Sequence, residues 1–178
     1  MSQPEADPDL HPAVLPLIYL LGTWRGEGVV GYPTIGEDRA FAQEITFGHS
    51  GKAFLAYASR TWDPATGEPM AAETGYFRPQ PDDSLEVLLV HPTGIAELYL
   101  GRISGAQLEM ATDAVLRSAT AKEVTASRRL YGLVEGALMY AVDMAMMGQP
   151  LQPHFSAKLE RVPGSGVVGF SARGTTKD

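Results

Sequence analysis

Gly22-Thr23-Trp24-Arg25-Gly26-Glu27-Gly28 is the stretch in which the character of the chain changes. Before it, Pro12 can occupy the first turn of a short helix over residues 13–21, because its missing N–H costs nothing there. After it, short runs rich in Val, Thr, Tyr, Phe and Leu alternate with Gly, Pro and Asp turns, a pattern typical of antiparallel strands. Trp24 can plug one end of a barrel, and the glycines allow neighbouring backbones to approach closely.

Ten strands are predicted from this alternation. Their connections are short, and no helical period follows residue 22, so the sequence favours an all-β, ten-stranded antiparallel up-and-down β-barrel with a short N-terminal helix. A sandwich would also account for the run 85–90, which is apolar on both faces apart from Glu86. The predicted strands cover residues 24–30, 40–48, 53–62, 70–79, 85–91, 95–103, 107–112, 123–131, 133–146 and 154–162.

Composition narrows the class of protein. The 178 residues contain 14 Lys and Arg against 21 Asp and Glu, a net charge of −7 that argues against a nucleic-acid or anionic-membrane binder. Cysteine is absent, which excludes disulfides, iron–sulfur clusters and thiol nucleophiles. The start of the chain lacks the basic and apolar regions of a signal peptide, so we expect a cytoplasmic protein. We predict a flexible leader over 1–11, one barrel domain over 12–163 and a flexible tail over 164–178.

Several segments together resemble the nitrobindin family of small haem-binding β-barrels. The GxW start by itself indicates only a lipocalin-like or fatty-acid-binding-like architecture. The order and spacing of the segments over about residues 13–162 make the resemblance more specific. The matching segments are GTWRGEG at 22–28, YPTI at 32–35, ETGYFR at 73–78, TAKEVT at 120–125, MMGQPL at 146–151 and HFSAKL at 154–159.

The resemblance implies one haem b per subunit, bound in one mouth of the barrel with His154 as the iron ligand. It also implies haem contacts from Thr34 and Lys122, although Thr34 could instead cap the turn after Pro33 and Lys122 could be a solvated strand-end cation. The activity implied is binding of nitric oxide and isomerisation of peroxynitrite to nitrate at ferric haem. The implied partners are therefore small molecules, with neither nucleic acid nor membrane, and a homodimer is left open.

His154 raises a problem of orientation. In a regular strand it shares a face with Ser156 and Lys158, whereas Phe155, Ala157 and Leu159 face the other way. Strand alternation therefore favours an outward His154. Because His154 directly follows Pro153 at the predicted mouth, its side chain could still turn inward over the rim.

One position departs from the family pattern. Family members commonly carry a histidine after the Pro-Leu/Met pair, facing the distal side, but here Pro69-Met70 is followed by Ala71. We therefore expect a distal pocket that is more open and less polar, with few hydrogen-bonding groups.

A second class of function uses the same barrel. A carrier of a small apolar ligand would need no His154, but it would need an internal cation to fix a carboxylate. Arg60, Arg78 and Arg128 are the candidates on predicted strands. A barrel that serves mainly to associate with itself or with another protein is a third, weaker interpretation.

Overall fold

The computed structural model describes residues 9–166. A 3-10 helix over Pro12–Leu20 precedes ten strands. The strands are β1 Gly22–Val30, β2 Arg39–His49, β3 Leu55–Trp62, β4 Pro69–Pro79, β5 Ser84–His91, β6 Ile95–Ser104, β7 Gln107–Arg117, β8 Val124–Val134, β9 Ala137–Met146 and β10 Gln152–Arg161.

The strands form one closed antiparallel barrel in which each pairs with its neighbours in sequence and β1 pairs with β10. The predicted fold class is confirmed. Closure leaves no strand with an unpaired edge to attract other chains. It also places strands five steps apart in the ring, such as β5 and β10, on opposite walls.

The base of the barrel is closed by the helix and by Trp24. Leu17 and Leu20 are fully buried, and Leu20 accepts a 2.8 Å hydrogen bond from the indole N–H of Trp24. The guanidinium of Arg161 stacks on the Trp24 ring at 4.2 Å from its centroid and donates to the carbonyl oxygen of Tyr19 at 2.6 Å. The sequence prediction that Trp24 plugs one end is therefore correct.

The glycines of the same motif let β1 and β10 approach closely. A Cβ at Gly26 would overlap the carbonyl oxygen of Lys158, and one at Gly28 would overlap that of Ser156 and the ring of Phe41. Only glycine fits at these two positions.

Two predicted strand boundaries are wrong. The predicted strand over 133–146 is interrupted by a tight turn at Glu135 and Gly136, where φ is 50° and 83°, so β8 ends at Val134 and β9 begins at Ala137. The predicted strand over 107–112 continues to Arg117. It does so through a bulge at Asp113, the residue left out when Leu98 pairs with Ala114 and Tyr99 with Thr112.

The ends of the described region contact the barrel. His11 in the predicted leader caps the helix, because its Nδ1 accepts the N–H of Ala13 at 3.1 Å. Ser165 in the predicted tail accepts the N–H of Thr23 at 3.0 Å. Residues 1–8 of the predicted leader and 167–178 of the predicted tail lie outside the described residues. Within residues 9–166, no helix is both long and apolar enough to cross a bilayer.

Candidate functional site

The end opposite the closed base holds a cavity of about 660 Å³. It lies within the size range of small-molecule and cofactor pockets. Thr34, Lys122 and His154, the three residues predicted for the site, all line it. Much of the remaining wall near the mouth is apolar and is formed by Val30, Ile35, Phe41, Ile95, Val124, Met144, Met146 and Phe155.

His154 reaches this cavity because β10 contains a bulge. Pro153 pairs with Asp143, but Phe155 pairs with the next residue, Val142, so His154 is an extra residue without a partner on β9. A bulge re-aims the side chain of the inserted residue. His154 and Phe155 therefore both line the cavity, and the outward orientation predicted from alternation is wrong.

The hydrogen bond of His154 determines which ring nitrogen is free. Its Nδ1 lies 3.1 Å from the carbonyl oxygen of Gly31, which can only accept, so Nδ1 carries the proton. In the neutral ring Nε2 then keeps its lone pair. Burial lowers the pKa of His154, and the nearby charge of Lys122 adds to this effect although the bond to Gly31 opposes it. His154 is thus a neutral imidazole with Nε2 available as a ligand.

Aromatic contacts fix the same ring. Tyr32 and Phe155 both pack edge-on against His154, with ring centroids at 5.1 and 5.2 Å. The hydroxyl of Tyr32 donates to the carbonyl oxygen of Met144 at 2.9 Å and accepts the N–H of Met146 at 3.1 Å. Tyr32 therefore ties the loop after β1 to β9 and holds one side of the histidine in place.

Thr34 and Lys122 come from separate loops at the mouth. Thr34 lies between β1 and β2, Lys122 lies between β7 and β8, and both side chains are exposed. The hydroxyl of Thr34 makes no hydrogen bond within the described part of the chain, so the alternative of a turn cap has no support there. A hydroxyl and an ammonium at the rim can both donate to an anionic group.

One wall of the cavity carries a cluster of four charged or titratable side chains, Glu73, His91, Glu97 and Arg129. Arg129 donates to both carboxylate oxygens of Glu73, at 2.7 and 2.9 Å, and its Nη2 lies 3.8 Å from Glu97 Oε1. His91 Nε2 lies 2.5 Å from the same Glu97 oxygen. All four residues line the cavity, and we call them the wall cluster.

Tyrosines behind the wall cluster complete its hydrogen bonds. Tyr57 donates to Glu73 at 2.5 Å, Tyr99 donates to Glu97 at 2.8 Å, and Arg129 Nε donates to the Tyr99 hydroxyl at 3.0 Å. Burial alone would raise the pKa of Glu73, but the charge and hydrogen bonds of Arg129, helped by His91 and Tyr57, lower it to about 2. The carboxylate of Glu73 raises the pKa of Arg129 although burial acts against it. This pair is therefore ionised at neutral pH.

The wall cluster corrects two expectations. The distal pocket lacks a histidine at Ala71, which does line the cavity, but it is not poor in hydrogen-bonding groups. The cation inside the barrel is Arg129, whose side chain is 2% exposed. The residues proposed for a carrier instead make ion pairs on the outer surface: Arg60 with Glu44, Arg78 with Glu86 and Arg128 with Glu109.

Strand alternation in the sequence is enough to place the side chain of Arg129 inside the barrel. Ser127, Arg129 and Tyr131 are all buried, so they share the inner face of β8, and Arg128 must point outward. The same alternation places His91 on the inner face of β5 with Leu85, Val87 and Leu89, and Glu73 on the inner face of β4 with Phe77. Within residues 9–166, no group of three or more acidic or histidine side chains is arranged to hold a bare metal ion.

Comparison with known proteins agrees with this architecture. The sequence model of the family described as "THAP4-like, heme-binding beta-barrel domain" matches residues 13–161. The crystal structure of Rv2717c from M. tuberculosis superposes with a TM-score of 0.81 at 40% identity, covering 86% of this chain and 99% of that one.

Relatives extend the similarity over most of both chains. A peroxynitrite isomerase of Salinispora tropica is 51% identical over 166 residues, covering 88% of this chain and 84% of its own length. A ferric nitrobindin-like protein of Kineococcus radiotolerans is 46% identical over 172 residues, covering 86% of this chain and 96% of its own length. With the family match covering the whole barrel, the chain belongs to the THAP4-like haem-binding β-barrel family.

Proposed function

We propose that this protein holds haem b in the mouth cavity through His154, and that the haem-loaded protein isomerises peroxynitrite to nitrate and binds nitric oxide. The observation that carries the proposal is the hydrogen bond from His154 Nδ1 to Gly31, which leaves Nε2 free inside the cavity. A second partner that fixes the tautomer and orientation of a ligating histidine is a usual feature of metal sites. The names of the relatives support the choice of substrate.

The residues present fit a haem. The cavity is wide and apolar near its mouth, as the porphyrin face requires, and Met144 and Met146 supply adaptable side chains there. Lys122 and Thr34 at the rim can donate to the two propionates of the cofactor. His154 is held neutral, so no proton has to leave before it binds iron.

The protein's own part in the reaction is to hold the haem and to shield it from solvent. When bound, the haem supplies a ferric iron with one coordination position open to peroxynitrite or nitric oxide. The contacts of His154 with Gly31, Tyr32 and Phe155 would fix the iron ligand. The apolar side chains near the mouth would limit the entry of water and of reductants. An isomerisation needs no net proton transfer, so none of the side chains is required as a general base.

The first experiment is an absorbance titration of the purified protein with hemin. Wild type is expected to develop a Soret band with one haem per chain, and His154→Ala is expected to lose it. His91→Gln is the matched control, because His91 is the second histidine of the same cavity and is not expected to bind iron. Restoration of the band in His154→Gly by added imidazole would separate loss of the ligand from loss of the fold.

The second experiment tests the reaction itself. Stopped-flow absorbance should show faster decay of peroxynitrite with the haem-loaded protein than with the haem-free chain, and nitrate should account for the product. Equal decay rates with intact haem binding would refute the isomerase proposal alone. If hemin gives no Soret band with wild type, the haem proposal itself fails.

A carrier of apolar ligands is the second candidate, supported by the apolar mouth of the cavity. Its weakness is that the internal cation is already used: Arg129 makes two hydrogen bonds to Glu73, so it is not free to receive a ligand carboxylate. Competition between hemin and a fluorescent fatty acid, measured in wild type and in His154→Ala, separates the two candidates. Tight fatty-acid binding that is unaffected by hemin and by the substitution would favour the carrier.

A further inference from the structure

The barrel wall is split at the mouth between β4 and β5. The ladder between these strands covers only Thr74 to Pro79 of β4, although β4 begins at Pro69. Residues 69–73 are next to β3 on one side but, within residues 9–166, have no paired residue on β5. Because β5 ends at His91 and turns back into β6, the split stays open as far as the mouth.

A cleft of about 590 Å³ lies at this split. One side of it is formed by β3, β4 and the turn between them, and the other side by the end of β5 and its turn into β6. Several of its residues also line the mouth cavity, so they form the boundary between the two spaces. The shared residues are Thr61, Met70, Ala71, Ala72, His91 and Thr93.

The boundary is thin where β4 contributes two alanines. Ala71 alternates in step with Glu73, which lines the cavity, and with the buried Phe77, so its methyl group points inward. Ala72 then points to the outer face of the strand. Both alanines are exposed although they lie within a strand of the barrel. Neither methyl group is large enough to fill the split between β4 and β5.

The cleft lies on the wall that faces His154. β5 is five steps from β10 in the ring of ten, and the end of β5 and the start of β10 lie at the same mouth. In a haem with one axial histidine, the position open to a ligand is on the opposite side of the porphyrin. A haem bound through His154 would therefore present its open position to the wall in which the cleft begins.

We propose that this cleft is the route by which small ligands reach the haem iron, and that Ala71 and Ala72 limit the size of the ligand that passes. The inference rests on the proposed haem site and extends it, because it assigns access to the split between β4 and β5. A haem that contacts Lys122 and Thr34 at the rim would fill the mouth. A side passage then admits the ligand and releases the product without displacing the cofactor.

The test follows azide, a small ligand of ferric haem, by stopped-flow absorbance of the haem-loaded protein. Ala71→Phe places a ring at the boundary between the cleft and the cavity. Affinity depends only on the free and bound states, so a narrowed passage changes the association and dissociation rate constants by the same factor. Both are expected to fall about 10-fold or more in Ala71→Phe, with Kd within about twofold of wild type. Imidazole, a bulkier ligand, should be slowed more than azide.

Ala111→Phe is the matched control, because Ala111 is an exposed alanine of β7 that lines neither the cleft nor the mouth cavity. Its azide rate constants are expected to stay within about twofold of wild type. Wild-type azide association in Ala71→Phe would overturn the inference. Slower association with an unchanged dissociation rate would also overturn it, because the ring would then act on the bound ligand and not on the passage.

A second variant blocks the cleft in a protein that has already folded. Since the chain has no cysteine, Ala72→Cys introduces a single thiol, which benzyl methanethiosulfonate converts into a bulky side chain. Azide association should be slowed by the label and not by the cysteine alone. Unchanged azide kinetics after complete labelling would overturn the inference.

The labelling rate itself is a readout that does not depend on ligand binding. The thiol of Ala72→Cys should react equally fast in the haem-free and haem-loaded protein, because the cleft is expected to stay open when the mouth is filled. Protection of the thiol by haem would place the cofactor in the cleft and overturn the inference. Failure of the whole haem proposal would look different, because wild type itself would then take up no hemin.

Discussion

The base of the barrel and its mouth are held together by different forces. At the base, Trp24, Leu17 and Leu20 are fully buried, and the main polar contacts are made by Arg161 and the indole N–H. At the mouth, the wall cluster of Glu73, His91, Glu97 and Arg129 places four polar groups beside a cavity. Apolar packing gains stability from every atom buried, whereas buried charges are tolerated only as complete pairs.

This difference indicates that the mouth, which carries the candidate functional site, is the end where polar groups are buried at a cost in stability. Removing one member of the wall cluster leaves its partner buried without an opposite charge or hydrogen bond. The stabilising effect of each residue there therefore depends on the others. The base has no such dependence, because its side chains contribute mainly by the area that they bury. The variants below test the two ends against each other.

Arg129→Met should have the largest effect. It leaves Glu73 and Glu97 buried without their cation, which is expected to lower the free energy of unfolding by about 3–5 kcal/mol. Urea denaturation at pH 7 measures the change. Arg128→Met is the matched control: Arg128 lies on the outer face and pairs with the exposed Glu109, so its loss should cost less than about 1 kcal/mol. Equal losses in the two variants would contradict the role assigned to the wall cluster.

Lowering the pH should reduce the free energy of unfolding through Glu73 at the mouth. The pKa of Glu73 is about 2 in the folded protein against an ordinary value of 4.5, so the unfolded chain binds the proton more readily. The contribution of Glu73 is therefore complete above pH 4.5 and is lost as the pH falls towards 2, a loss of about 3 kcal/mol. Denaturation across this range should show a flatter pH dependence for Glu73→Gln than for wild type. Glu109→Gln, which removes an exposed carboxylate, should keep the wild-type slope.

Much of the fold followed from local sequence signals. Turn residues and short apolar runs predicted ten strands and their closure, and GTWRGEG predicted that Trp24 would close one end of the barrel. The Glu135-Gly136 turn was missed because the pair is not the Asn-Gly or Asp-Gly sequence that is the strongest signal of a two-residue hairpin turn. Both residues there have positive φ, which the residues themselves permit but do not demand.

The site was only partly predictable, since the decisive features are not local. The resemblance supplied His154, Thr34 and Lys122, and all three line the cavity. The bulge that turns His154 inward depends on the register between β10 and β9, which no single strand encodes. The wall cluster joins β4, β5, β6 and β8, so its members are between 6 and 56 positions apart and appear in sequence as unrelated polar residues.

Trp24→Phe should have the smallest effect of the three, and it tests the base alone. It removes the hydrogen bond to the Leu20 carbonyl and part of the ring that packs beneath Arg161, at a cost of about 2 kcal/mol in the free energy of unfolding. Because no carboxylate is involved, the loss measured by urea denaturation should be the same at pH 7 and pH 4. Hemin uptake should stay at one per chain, since the cavity lies at the other end. A Trp24→Phe variant that folds but does not bind hemin would show instead that the base and the mouth are coupled. That result would contradict the view that apolar packing at the base and paired charges at the mouth stabilise the barrel independently.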